Sequence, residues 1–319
     1  MKLTIERSAL LASLQHVQSV VERRNTIPIL SNVQLTANRG ELGLTATDMD
    51  IWVYDKTPAE IGQSGTTTAP AHMLFDIVRK LPEGSQVELS VAGDAGQLEL
   101  RSGHSLFTLS CLPVEDFPAT SNEDLACQFQ IPASGLGQLI DKTRFAISTE
   151  ETRYYLNGVY LHAVSVGDVR ALRAVATDGH RLARVEVDLP DGAEEMPGVI
   201  LPRKAVLELR KLLEGVDGMV EVALSETKIR ISVGGTVLIS KLIDGTFPDY
   251  QRVIPEGNNK IMTIAGGVFA EAVDRVSTIS SDKSRAIKLS LSSGKLVLSA
   301  SSPDQGSASE ELSVDYESD

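Results

Sequence analysis

The alternation of apolar and polar positions resolves the chain into one pattern used three times. Leu3-Thr4-Ile5 alternates like a strand, and Leu10, Leu11, Leu14, Val17 and Val21 then recur at helical spacing, which predicts an amphipathic helix from Ser8 to about Arg24. Pro28 breaks the run, and Ile29 to Ala37 and Gly40 to Thr47 alternate as two strands about the turn Asn38-Arg39-Gly40. Phe129-Gln130-Ile131 restarts the pattern, with a helical stripe at Leu136, Leu139, Ile140 and Phe145 and strands from Asn157 to His162 and Val169 to Ala176. Met262-Thr263-Ile264 restarts it again, followed by Val268, Phe269, Ala272, Val273 and Val276 and by strands at Ile287-Lys288-Leu289 and Leu296-Val297-Leu298. The restarts are a domain's length apart, far longer than a solenoid repeat.

The first two copies have a second half of the same kind. Ala69-Pro70-Ala71 opens a helix bearing Met73, Leu74, Ile77, Val78 and Leu81, and Leu201-Pro202-Arg203-Lys204 opens one bearing Val206, Leu207, Leu209, Leu212 and Leu213. Proline at the first turn suits a helix start. Strand pairs follow, and each copy closes on Phe-Pro, at Phe117-Pro118 and Phe247-Pro248. The expected fold class is α+β, in three repeated domains at 1–126, 127–254 and 255–319, each built from strand–helix–strands units. The third is expected to hold only the first half, with an unpaired sheet edge and an uncovered core face.

One stretch separates the copies. Ala176-Thr177-Asp178-Gly179-His180-Arg181-Leu182-Ala183 follows an apolar strand. Leu44-Thr45-Ala46-Thr47-Asp48-Met49 repeats the strand and its Thr-Asp end, and Leu298-Ser299-Ala300-Ser301-Ser302 is a weaker third version. Only the middle copy continues as Gly-His-Arg-Leu, so a function is expected there. Asp178 and His180 could serve as an acid–base pair, but a turn-stabilising aspartate followed by a surface histidine is the simpler reading.

Catalytic and metal chemistry find little else to stand on. None of the five histidines has metal-ligand spacing with cysteine or another histidine, and there is no P-loop, dinucleotide fingerprint or nucleophile elbow. No catalytic residue, metal or cofactor is expected. Two cysteines, Cys111 and Cys127, do not make a disulfide framework, no run is long enough to span a membrane, and the N-terminus lacks a signal-peptide core, so a cytoplasmic protein is expected.

The formal charge of −13 argues against general adhesion to nucleic acid. Its distribution qualifies that objection. Every predicted helix except the third-repeat one is net positive, while strands and loops are acidic. Helix macrodipoles account for Arg23, Arg24, Arg79 and Lys80 at C-terminal ends, but not for Arg203 and Lys204 at a helix start. Such a partition suits a scaffold that turns a weakly basic helical face to a polyanion. Arg153-Tyr154-Tyr155 precedes a strand; if extended, the two tyrosines point to opposite sides, and an exposed one beside arginine can stack on bases.

Arg153-Tyr154-Tyr155-Leu156-Asn157-Gly158, the stretch 176–183, Leu201-Pro202-Arg203-Lys204 and Asp244-Gly245-Thr246-Phe247-Pro248-Asp249-Tyr250, set on three repeats, resemble the bacterial DNA sliding clamps, the beta subunits of DNA polymerase III. The resemblance runs from Met1 to the end of the chain, and the family pattern continues for a further half-domain. It implies a homodimeric ring when full length, with sheets outside and helices lining a central hole for duplex DNA. Holding DNA topologically needs little affinity, which reconciles an acidic exterior with a DNA partner. It further implies a hydrophobic pocket for short peptides of the polymerase III alpha subunit, the clamp loader, other polymerases and repair proteins. The matching pocket positions are Leu156, Thr177, Gly179, His180, Arg181, Leu182, Pro248, Arg252 and Val253, with part of the family pocket coming from the further segment. DNA-facing positions are Arg24, Tyr154 and Tyr155, with Arg79, Lys80, Arg203 and Lys204 as lining charges; Glu150 occupies one family DNA-contact position, where a carboxylate disfavours contact. Phe107 and Leu109 are expected to meet Thr278 and Ile279 across the ring joint. Two alternatives stay open: a repeat scaffold that binds peptides without encircling DNA, and an enzyme using Asp178 and His180.

Overall fold

The computed structural model describes residues 1–91, 96–120, 125–167, 169–280 and 286–317. Two compact units divide the chain, Met1–Phe247 and Pro248–Asp319.

The first unit contains two of the three repeats. In the first lie β1 (Lys2–Glu6), α1 (Arg7–Gln18), β2 (Asn32–Asn38), β3 (Glu41–Thr47), β4 (Ile51–Pro58), β5 (Glu60–Gln63), β6 (Gly65–Pro70), α2 (Ala71–Lys80), β7 (Gln86–Ser90), β8 (Gln97–Ser102) and β9 (Ser105–Ser110). In the second lie β10 (Cys127–Pro132), α3 (Ala133–Asp141), β11 (Gly158–Val166), β12 (Val169–Thr177), β13 (Leu182–Asp188), β14 (Val199–Pro202), α4 (Arg203–Leu212), β15 (Met219–Leu224), β16 (Lys228–Val233) and β17 (Thr236–Lys241). Leu10, Leu14 and Val17 of α1, Leu74 and Val78 of α2, Leu136 and Leu139 of α3 and Val206 and Leu209 of α4 are buried, so the apolar stripes read from the sequence are the faces that pack on the sheets. One hydrophobic cluster runs from Met1 to Leu242 through both repeats.

The two repeats also share a sheet. Strand order β10-β15-β16-β17-β4-β3-β2-β6 makes eight strands, half from each repeat. The seam is the antiparallel pair β17–β4, with Val237 opposite Tyr54, Leu238 opposite Val53, Ile239 opposite Trp52 and Ser240 opposite Ile51. A second sheet has the order β5-β1-β7-β8-β9 and a third β13-β12-β11-β14. Beside the seam, Asp55 is buried and meets His16 of α1 (Nδ1 to Oδ2, 2.9 Å) and Thr236 of β17, whose hydroxyl donates to Oδ1 at 3.1 Å. The hydroxyl of Ser19, just past α1, bonds the Glu208 carboxylate on α4.

The second unit contains α5 (Gly266–Ser277) on a sheet of β18 (Lys288–Ser292), β19 (Lys295–Ser302) and β20 (Gly306–Ser313), in that order. Its small core is Ala272, Val276, Leu296, Leu298, Ala300 and Leu312. Leu289 and Leu291 of β18 are exposed.

Several element ends differ from the sequence reading. The first helix stops at Gln18 rather than near Arg24, so Arg23 and Arg24 lie in the following loop, and Pro28–Ser31 is a 3-10 turn ahead of β2 rather than part of it. α3 stops at Asp141 because the buried Thr143 hydroxyl donates to the Leu139 carbonyl at 2.6 Å, drawing the chain off the helix axis. Tyr154 and Tyr155 are not extended: Glu151–Leu156 is a 3-10 segment with a non-helical Arg153, and the two rings meet edge to face at 5.8 Å. The apolar stripe of the third repeat predicts a helix over 267–281; α5 covers Gly266–Ser277, and residue 281 lies outside the described residues.

Candidate functional site

The turn after β12 is built by its own side chains. Thr177 Oγ1 accepts the Gly179 N–H at 3.1 Å and donates to the Arg181 carbonyl at 2.7 Å. Asp178 Oδ1 accepts the N–H groups of His180 and Arg181, both at 3.0 Å, and Oδ2 pairs with Arg181 Nε at 3.0 Å. Desolvation pushes the Asp178 carboxyl up, but these donors outweigh it and hold the group below its ordinary value. With both oxygens engaged in the turn, Asp178 is a structural carboxylate, and its reading as a base loses its footing. Gly179 has φ +86°, and His180 and Arg181 stand exposed beyond it. The Arg181 guanidinium lies over the exposed Phe145 ring, 5.6 Å from its centre. Leu182, half-buried, opens β13 next to the turn.

The segment Glu151–Leu156 supplies the neighbouring wall. Leu156 is buried and Tyr154 is exposed. Arg153 reaches back across the turn: Nε donates to Glu150 Oε2 at 2.8 Å and Nη2 to the Asp178 carbonyl at 3.0 Å. Thr177, Gly179, His180, Arg181 and Leu182 are thus gathered on one turn and strand start, beside the segment that ends in Leu156. Pro248, Arg252 and Val253 belong to the second unit, where Arg252 pairs with Asp249 at 2.7 Å and Val253 is strongly exposed. Sequence reasoning named Arg153 only as a neighbour of the tyrosines; its signal was the pairing of that arginine with the glycine of the turn.

Family models described as the N-terminal, central and C-terminal domains of the DNA polymerase III beta subunit match residues 1–121, 130–249 and 251–319. This chain belongs to that family, the beta sliding clamps. The beta sliding clamp of Caulobacter vibrioides NA1000 is 53% identical over 317 residues, covering 99% of this chain and 85% of the relative. A crystal structure of the Bartonella birtlesii sliding clamp bound to griselimycin has a TM-score of 0.96 at 53% identity, covering 100% of this chain and 85% of that one. The Pseudomonas aeruginosa clamp bound to griselimycin has a TM-score of 0.92 at 42% identity, covering 99% and 84%. A beta sliding clamp is a processivity factor of bacterial replication: a ring that encircles duplex DNA and tethers the polymerase.

The basic positions of this beta sliding clamp fall into two groups. Lys204, in the first turn of α4, is not a free charge: Nζ lies 2.6 Å from Asp48 Oδ2 and 2.7 Å from Glu22 Oε1, and donates to the Val20 carbonyl at 3.0 Å. Burial works to lower its pKa, and the two carboxylates more than reverse that. Arg210 pairs with Asp141, Lys211 with Glu208 and Arg79 with Asp76. Arg24, Lys80 and Arg203 are exposed and form no ion pair among the described residues. At the expected ring joint, Phe107 is half-buried and Leu109 is only 4% exposed, so the Leu109 side chain backs the surface of β9 from the core instead of presenting it. Thr278 is exposed and caps α5, with Ile279 half-buried beside it. Among the described residues no group of three or more His, Cys, Asp or Glu is placed to hold a metal ion, and no helix is long and apolar enough to cross a membrane.

Proposed function

We propose that the chain acts as a non-catalytic cytoplasmic clamp in three domains, at 1–126, 127–254 and 255–319, which closes into a ring with a second copy of itself. The observation that carries this reading is the seam β17–β4: the last strand of one repeat continues the sheet of the repeat before it. β9 is the counterpart of β17 in the first repeat, and β20 is the counterpart of β4 in the third; each is the edge of its own sheet. The same pairing between copies sets Phe107 opposite Ala308 and Leu106 opposite Ser309 of the second copy, near Thr278 and Ile279. Pairing of two edges also removes the liability that an open strand presents.

DNA is retained in this reading by enclosure. Loaded by a clamp loader and ATP onto a nicked circular plasmid, the protein is expected to stay on the circle and to run off once the plasmid is cut. Equal retention on circular and linear DNA would exclude enclosure and favour the peptide-binding scaffold. Residual attraction comes from Arg24, Lys80 and Arg203, with Tyr154 and Tyr155 beside the duplex. Arg203→Ala is expected to reduce the slope of log K against log salt by about 0.9. Lys204→Ala is expected to leave the slope unchanged while lowering the melting temperature, because that ammonium holds Asp48 and Glu22. A reduced slope in Lys204→Ala would return it to the DNA-facing group.

On the first unit the pocket reading assigns Leu156 and Leu182 as apolar walls, Gly179 as the point of close approach and Thr177, His180 and Arg181 as the rim; Pro248, Arg252 and Val253 of the second unit are the positions that the family resemblance adds. Its ligands are short segments with apolar anchors from the polymerase alpha subunit, the clamp loader and other polymerases and repair proteins, and griselimycin is expected to occupy it.

A further inference from the structure

The turn at Thr177-Asp178-Gly179 has an internal control. In the first repeat Met49 N–H donates to Thr47 Oγ1 at 2.9 Å, and Asp48 Oδ1 accepts the N–H groups of Asp50 (3.0 Å) and Ile51 (2.7 Å), the same three bonds as in the second. Met49 holds the position of Gly179, with φ +79° against +86°. The turn therefore accommodates a side chain at that position. In the second repeat a side chain there would meet Arg153: a Cβ on Gly179 would lie 2.5 Å from Nη1, so the guanidinium would have to leave its place between Glu150 and Asp178. Counting back from the strand starts Gly158 and Asn32, which stand opposite the equivalent prolines Pro202 and Pro70, the position of Arg153 is Ile27 in the first repeat, an exposed side chain with no guanidinium to offer. Arginine with glycine in one copy and isoleucine with methionine in the other is a matched exchange.

We propose that Arg153 is a positioning residue: its guanidinium, held by Glu150 and bonded to the Asp178 carbonyl, sets the turn that presents His180 and Arg181 to a bound peptide, and Gly179 is glycine to admit it. Three anchors define the guanidinium plane, the two Glu150 oxygens (2.8 and 2.7 Å) and the Asp178 carbonyl (3.0 Å). A guanidinium donates along fixed directions, so this set orients it as a single ammonium could not. The inference deepens the pocket reading and rests on it only for the peptide.

The test is a double-mutant cycle on griselimycin affinity with Gly179→Ala, Arg153→Ala and their combination, beside Leu182→Ala and Arg153→Lys. Each single change at the pair is expected to weaken binding by about tenfold, and the double variant by about tenfold rather than the product, because the alanine methyl has nothing to strike once the guanidinium is gone. Arg153→Lys is expected to bind like Arg153→Ala. Multiplying effects, or full recovery with lysine, would overturn the proposal. If Gly179→Ala does not fold, recovery of folding in the double variant replaces the affinity cycle, and failure to recover counts against it. Hydrogen exchange of the His180 and Arg181 amides supplies a readout independent of any ligand: it is expected to speed up in Arg153→Ala at an unchanged melting temperature, and unaltered exchange rejects the positioning role. Unchanged affinity in Leu182→Ala would instead reject the pocket assignment and leave the exchange result to judge Arg153 alone.

Discussion

Gly158→Ala is expected to be the most damaging single-methyl change in the chain, costing at least about 3 kcal/mol and lowering the melting temperature by about 10 °C. Gly158 opens β11 opposite Pro202, the last residue of β14. A Cβ there would overlap the Leu201 carbonyl oxygen and sit 2.9 Å from Ile200 Cγ2. Neither obstacle can swing away, since one is backbone and Ile200 is buried in the same pair. Relief would require β14 to leave β11, which also strips the Arg203 N–H from its acceptor, the Asn157 carbonyl at 2.9 Å. The start of α4 and the segment carrying Leu156 would shift together. A thermal melt of the purified variant checks this; a loss below about 1 kcal/mol would mean that the strands separate more easily than their register suggests.

Asp55→Ala is expected to cost about 2–3 kcal/mol, the range for stranding partners of a buried carboxylate after allowance for the partly exposed His16. It removes the acceptor of Thr236 and the partner of His16 where the two repeats meet. The same carboxylate gives stability a pH dependence. Burial pushes the Asp55 pKa up, but hydrogen bonds from His16 and Ser13 and the His16 charge outweigh it, so the folded value lies below the ordinary 3.8. A depressed folded pKa means that the stabilisation is complete above the unfolded value and is lost as pH falls through the folded one. Denaturant midpoints between pH 5 and pH 2 should therefore converge for wild type and Asp55→Ala at the acid end. A constant gap across that range would show that the carboxylate charge has no part in the joint.

Local chemistry was legible wherever the determining groups are close in sequence. Pro70 and Pro202 mark the starts of α2 and α4, though each stands one residue ahead of the first turn, as the cap, and the turn after Thr177 forms from residues within four positions of each other. Three repeats emerge because each apolar stripe faces its own sheet. Longer-range facts were not legible. The ion pairs of Lys204 were not legible because its acceptors, Val20, Glu22 and Asp48, come from another repeat. The seam β17–β4 joins two edges that alternate like any half-buried strand, and no residue pattern marks which edge will meet which. Arg153 was hidden for a further reason: its short segment lacks the length for a period, so a 3-10 turn and an extended run could not be told apart.

The shared sheet also sets a timetable during synthesis. β4 leaves the ribosome long before β17, and at ordinary elongation rates the interval is on the order of ten to forty seconds. Once β9 has followed, the first repeat has both helices and most of its core, yet Trp52 and Tyr54 lie on a strand whose outer backbone groups have no mate. A nascent chain stalled between the two strands carries a sticky ribbon, and two such chains on one message could pair with each other. Slower translation across the second repeat is then expected to lower the yield of correctly paired chains.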